Sequence, residues 1–105
     1  LKVGRLTERI ALERNNPTHN DWGESTDNWE VFDAIWADVH LETKDSQQNE
    51  TVAQGSVYTI WIRHHRQLNT HHRIRWRDRV LWVNEIGFDP RKDWMRVIAG
   101  ETKYA

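Results

Sequence analysis

Four histidines fall in two pairs within the stretch RHHRQLNTHHR: His64 and His65, then His71 and His72. Imidazole nitrogens are common ligands of transition metals, so two pairs could in principle hold an ion. The spacing opposes this. Neighbouring residues on a strand point to opposite faces, so at most one imidazole of each pair converges. Arg63, Arg66, Arg73, Arg75 and Arg77 crowd the same stretch and would repel a dication. No metal site and no cofactor is expected here.

The same arginines, with Trp61, Trp76 and Trp82 close by, have the makings of a positive groove with stacking platforms. On that reading, the segment from Arg63 to Arg79 serves a small β-barrel nucleic-acid-binding module. Overall charge weighs against it: the net charge is −1 and the sequence pI about 6.7. The competing readings are that the acidic and basic halves neutralise each other across strand pairs of one domain, with the arginines against the acidic strand 29–41, or that they meet between neighbouring chains. Residues 1–56 carry five Lys/Arg against eleven Asp/Glu, and residues 57–105 carry ten against five. Arg73, Arg75 and Arg77 alternate with Ile74 and Trp76, which predicts an outward basic stripe. Such a stripe can meet Glu30, Asp33 and Asp38 of a neighbour, and reversing it should cost the monomer only about 1 kcal/mol.

Catalysis has little to build on. The chain has no nucleophile elbow, glycine-rich phosphate loop or HExxH, and Asp89 and Asp93 flank a turn, where Asp is favoured for backbone reasons. With no cysteine, there is no thiol nucleophile, thiolate zinc site or disulfide framework. Apolar runs span only a few residues, so no transmembrane helix and no membrane partner are expected. The lack of cysteine and of an apolar leader reads as cytoplasmic, and a first residue of Leu1 places the natural start slightly upstream.

A single domain, residues 1–105, fits this length. Leu, Ile, Val and Phe total 23 residues, near the level below which chains stay disordered, but seven Trp are expected to supply the missing core area. Residues 5–14 alternate with Leu6, Ile10 and Leu12 on one face, and Glu13 on the other. Residues 15–28 read as a loop in which Trp22 is the one large apolar group, expected to fold back as a lid on the core or else to contact a partner. In 29–41, Trp29, Val31, Ile35, Ala37, Val39 and Leu41 share one strand face, while Phe32, Ala34 and Trp36 share the other. Bulk on both faces makes Phe32 and Trp36 candidates for a subunit contact, with Trp36 assigned to an interface rather than the core. Residues 42–56 form a long polar loop, followed by strands at 57–65, 73–77, 80–86 and 94–99. Five to six strands without a helix predict an all-β fold, a small antiparallel β-barrel or sandwich with long polar loops.

Taken in order, these segments resemble the phage head–tail joining proteins, also called head closure, stopper or head–tail adaptor proteins. The residues that carry the resemblance are GRLTERIALER at 4–14, the turn Asp21–Trp22–Gly23, Trp29 with Trp36–Ala37, YTIWIR at 58–63, then RIRW, LWVNEI, DPR and WMRVIA. The resemblance spans essentially the whole chain. It implies a structural protein of a phage or prophage, found in the virion and made in the host cytoplasm. Such a protein forms a ring under the portal, closes the DNA-filled head and provides the tail attachment surface. Its implied partners are portal or connector proteins, tail proteins, further copies of itself, and DNA passing through without sequence-specific binding. The resemblance also implies a channel loop, here Glu42, Lys44, Asp45, Gln47, Gln48, Asn49 and Glu50, whose net negative charge would not adhere to phosphates. Candidate interface residues are then Trp22, Glu30, Phe32, Trp36, Asp38, Arg73, Arg75 and Arg77.

Overall fold

A computed structural model describes residues 6–42, 56–89 and 93–102. The elements are β1 (Glu8–Asn15), β2 (Thr18–His19), β3 (Ser25–Thr26), β4 (Trp29–Glu42), β5 (Val57–Arg63), β6 (Arg73–Trp76), β7 (Arg79–Phe88) and β8 (Trp94–Gly100). Six of them close into an antiparallel barrel in the order β1-β4-β5-β8-β7-β6, with β6 pairing back onto β1. The all-β expectation holds, and the closed barrel is the correct one of its two forms. Closure leaves no strand edge of the barrel unpaired, which removes the usual route to uncontrolled strand addition.

Period-two patterning explains the core. Tyr58, Ile60 and Ile62 on β5 face Met95, Val97 and Ala99 on β8, with Ile10, Leu12, Ile74, Leu81 and Val83 completing the interior. The expectation that tryptophan fills the core fails. None of the seven Trp is fully buried, and apart from Tyr58 and Met95 the buried apolar set is aliphatic. A six-stranded barrel is narrow, and branched aliphatics fill its interior layers better than indoles, whose N–H also needs a partner.

Two register shifts correct the face assignments. Leu12 pairs with Asp33 but Glu13 pairs with Val31, so Phe32 is an extra residue on β4. This bulge reverses the alternation upstream of it. Val31, assigned to the core face, is therefore 56% exposed, while Phe32, assigned to the outer face, is half-buried against the core. A second shift between Val83 and Glu85 lets both Val83 and Ile86 contact the core.

The segment 15–28 is more ordered than a loop. Asn16 N–H donates to Asn28 O at 2.8 Å, and β2 pairs with β3 as Thr18 with Thr26 and His19 with Ser25. These pairings continue the register of Asn15 with Trp29, so the hairpin extends the β1–β4 ribbon beyond the barrel. The Asp21–Trp22–Gly23 turn is its tip. There, Asn20 Oδ1 accepts from the N–H groups of Trp22 and Glu24 at 2.8 and 2.9 Å, and Gly23 takes φ +84°.

Candidate assembly surface

The arginine stripe is engaged within its own chain. Closure of β6 onto β1 sets Glu13 opposite Arg73. Arg73 Nε donates to Glu13 Oε1 at 2.6 Å and Arg75 Nε to Glu13 Oε2 at 3.0 Å. Arg77 Nη2 lies 3.0 Å from Glu8 Oε2, and Arg79 Nη1 lies 2.6 Å from Glu101 Oε2. The Arg73 guanidinium also lies 4.4 Å from the ring centre of Trp29 and 5.5 Å from that of Trp82. Glu13 is buried, and burial pushes its carboxyl up, but hydrogen bonds and charge from Arg73 and Arg75 outweigh that and hold it below the usual range. Glu8 is held low as well, first by a hydrogen bond from Trp76 Nε1 and then by Arg77. Arg75 and Arg77 stand on the outer face as expected and Arg73 is largely covered, but all three already pair with carboxylates of their own chain. Pairing of the basic half with the acidic half within one chain agrees with expectation, but with Glu13 in place of strand 29–41. Glu13 lies sixty residues from Arg73 and is brought to it only by closure.

The acidic candidates are also engaged locally. Asn16 and Asn28 donate to Glu30, and His40 Nε2 lies 3.0 Å from Asp38 Oδ2. His65 Nε2 lies 2.7 Å from Asp33 Oδ2, and that hydrogen bond, followed by one from Ala34 N–H, holds the Asp33 carboxyl low. Glu42 belongs to the end of β4, opposite Val57, rather than to a loop, and it accepts from Thr59 Oγ1. Lys44, Asp45, Gln47, Gln48, Asn49 and Glu50 lie outside the described residues.

What stays outside is apolar. Trp22 is 85% exposed at its hairpin tip, Trp36 is 51% exposed, and Val31, Leu41 and Phe88 are exposed too. Trp36 pairs across strands with Arg9, whose guanidinium lies 5.0 Å from its ring centre. Beside Trp36 is an open groove of about 350 Å³ lined by Arg9, Ala34, Ile35, Arg63 and His64. Of the candidate interface residues, Trp22 and Trp36 are the exposed apolar ones, and Glu30, Arg75 and Arg77 are exposed as well.

The histidines go to different polar and aromatic partners, although His65 and His72 share Phe32, with the His65 ring 6.0 Å from it. His65 turns to Asp33, His64 packs 5.8 Å from Phe88, and His72 packs 4.7 Å from Phe32. Among the described residues, no three His, Cys, Asp or Glu side chains group to hold a metal. His72 is instead a pH-sensitive part of the fold. Burial lowers its pKa, and repulsion from Arg14, His71 and His65 adds to the shift. An unfolded histidine protonates near about 6.5, so stability falls as pH drops through that value toward the lower folded pKa. The depressed carboxylates Glu8, Glu13 and Asp33 lose their contribution below about pH 4.5. Thermal melts from pH 8 to 3 should therefore fall in two stages, and His72→Gln should reduce the first while sparing the second.

Comparison with known proteins agrees with this architecture. A protein in the virion of a native gene transfer agent particle superimposes with a TM-score of 0.74, at 20% identity over 96% of this chain and 98% of that one. Protein SF1141 from Shigella flexneri 2a superimposes with a TM-score of 0.75, at 22% identity over the full length of both. At these identities the likeness establishes the fold. No curated protein sequence matches the chain significantly. The family model for phage head completion proteins matches residues 1–102, and a match over nearly the whole chain shows that this chain belongs to the phage head completion protein family.

Proposed function

We propose that this protein is a structural component of a phage or prophage particle that assembles as a ring beneath the portal. There it closes the DNA-filled head and provides the surface to which the tail attaches. The observation that carries this reading is the division of labour on the barrel exterior. Its three arginines on β6 and the following turn share the two carboxylates of Glu8 and Glu13, while large apolar side chains such as Trp22 and Trp36 face outward. Exposed aromatics on a barrel with no open edge fit association through side-chain faces rather than strand addition. The role is structural rather than catalytic: the carboxylates with shifted pKa hold the barrel together. The nucleic-acid module is the weaker reading, since four arginines of its stripe, Arg73, Arg75, Arg77 and Arg79, already bond carboxylates of their own chain and offer less charge to phosphates. The 42–56 segment is proposed to face the channel through which DNA passes.

The test uses DNA-filled heads produced without this protein. Adding purified wild-type protein should convert them to tailed, nuclease-resistant particles. Trp36→Ala should fold normally and fail to do so. Full activity of Trp36→Ala would remove that face from the assembly surface.

A further inference from the structure

We infer that the contact between neighbouring copies is made by the acidic hairpin carrying Trp22 on one copy seated in the groove beside Trp36 on the next. The inference rests on the ring reading and names its interface.

The knob is preorganised. Besides the two bonds to Asn20 Oδ1, Gly23 N–H donates to Asn20 O at 3.0 Å, and Asn20 Nδ2 donates to Glu24 Oε1 at 2.7 Å. A tip fixed by its own hydrogen bonds loses little freedom on docking. It presents one indole, and residues 20–28 carry Asp21, Glu24 and Asp27 with no Lys or Arg.

The socket has the opposite character. Its apolar surface comes from Leu6, Ala34, Ile35 and Trp36, and its positive charge from Arg9 and Arg63. Beside them lie His64 and His65, the latter bonded to Asp33, whose carboxylate also feels Arg9. Neither arginine lies within ion-pair distance of a carboxylate among the described residues. Both already sit over indoles, Arg9 over Trp36 and Arg63 over Trp94 at 4.9 Å, so they are placed to accept another aromatic face. Trp and Arg together in a concave, partly apolar site are the usual composition of an interface anchor.

A chain cannot fill its own groove. Because β2 and β3 continue the β1–β4 ribbon in register, about ten residues of strand separate Arg9 from the tip, or about 30 Å at about 3.3 Å per residue. Knob and socket therefore lie toward opposite ends of one ribbon. A contact that joins two different patches of the same subunit is heterologous, and it generates a ring when the rotation closes.

Because the chain has no cysteine, engineered thiols test this without background. Asp21→Cys and Ala34→Cys are made in separate copies, mixed, assembled on heads lacking the protein, and oxidised. Both positions are exposed, so each variant should melt like wild type. The expected result is a disulfide dimer in the mixture and none with either variant alone. Trp22→Ala should keep the same melt and weaken association about thirty-fold. Arg63→Glu should weaken association too, and Asp21→Arg should partly restore it. If copies co-assemble, as detected by lysine cross-linking, but the Asp21→Cys and Ala34→Cys pair does not form, the interface is elsewhere and this inference falls while the ring stands. If copies never associate, on heads or free, both fall together.

Discussion

Replacing Arg73 and Arg75 with glutamate should unfold the barrel. Both guanidinium groups bond to Glu13, whose side chain is only 5% exposed. Removing one partner of a buried ion pair typically costs about 3–5 kcal/mol, because the remaining charge keeps its desolvation penalty. Reversal goes further and places three carboxylates around one site. The total approaches the about 5–15 kcal/mol that holds a domain folded. Arg73 also fills the space between Trp29 and Trp82, so its packing is lost with its charge. Urea melts followed by circular dichroism should show no folded baseline for the double variant. A melt close to that of wild type would mean that Glu13 does not organise this wall of the barrel. The outcome departs from the cost of about 1 kcal/mol expected for exposed charges alone.

Phe32→Ala and Trp36→Ala should differ in a way that strand alternation does not predict. The two residues share parity on β4, yet the bulge opposite Leu12 and Glu13 turns Phe32 toward the core and leaves Trp36 outside. Phe32 packs against His72 and beneath the Arg14 guanidinium, 5.4 Å from its ring centre. Its truncation should cost about 3 kcal/mol through the void left behind. Trp36→Ala leaves no internal void and should cost about 1 kcal/mol, much of it the contact with Arg9. Thermal denaturation of the two variants side by side measures the difference. Equal losses would place both on the same side of the sheet and contradict the bulge.

These two cases show where the fold was legible and where it was not. Alternation in RLTERIALER, VYTIWIR and WMRVIA located β1, β5 and β8, and the turn around Asp78 placed the β6–β7 hairpin. Those signals are local. The bulges at Phe32 and near Asn84 carry no local mark, and each inverts every face assignment on one side of it. The ion pairs of Glu13 and Glu8 were hidden for another reason: they depend on β6 closing onto β1, a non-local pairing. The same limit explains the tryptophans. Composition counted seven, but only the narrow barrel interior decides that they stand on its wall rather than in its centre. At the candidate surface, the polar turn left Trp22 open between a lid on the core and a partner contact, and only the hairpin's extension beyond the barrel leaves it exposed. The Arg9–Trp36 pair likewise required the β1–β4 register.

The central claim is that the protein belongs to the completed head, at its junction with the tail. Purified particles can be separated into DNA-filled heads and free tails, and the protein quantified in each by mass spectrometry against the portal. A ring beneath the portal predicts that it co-purifies with heads in a small fixed ratio to the portal subunit, and that it is absent from heads stalled before DNA packaging. Recovery with free tails alone, or at the copy number of the capsid shell, would contradict the account.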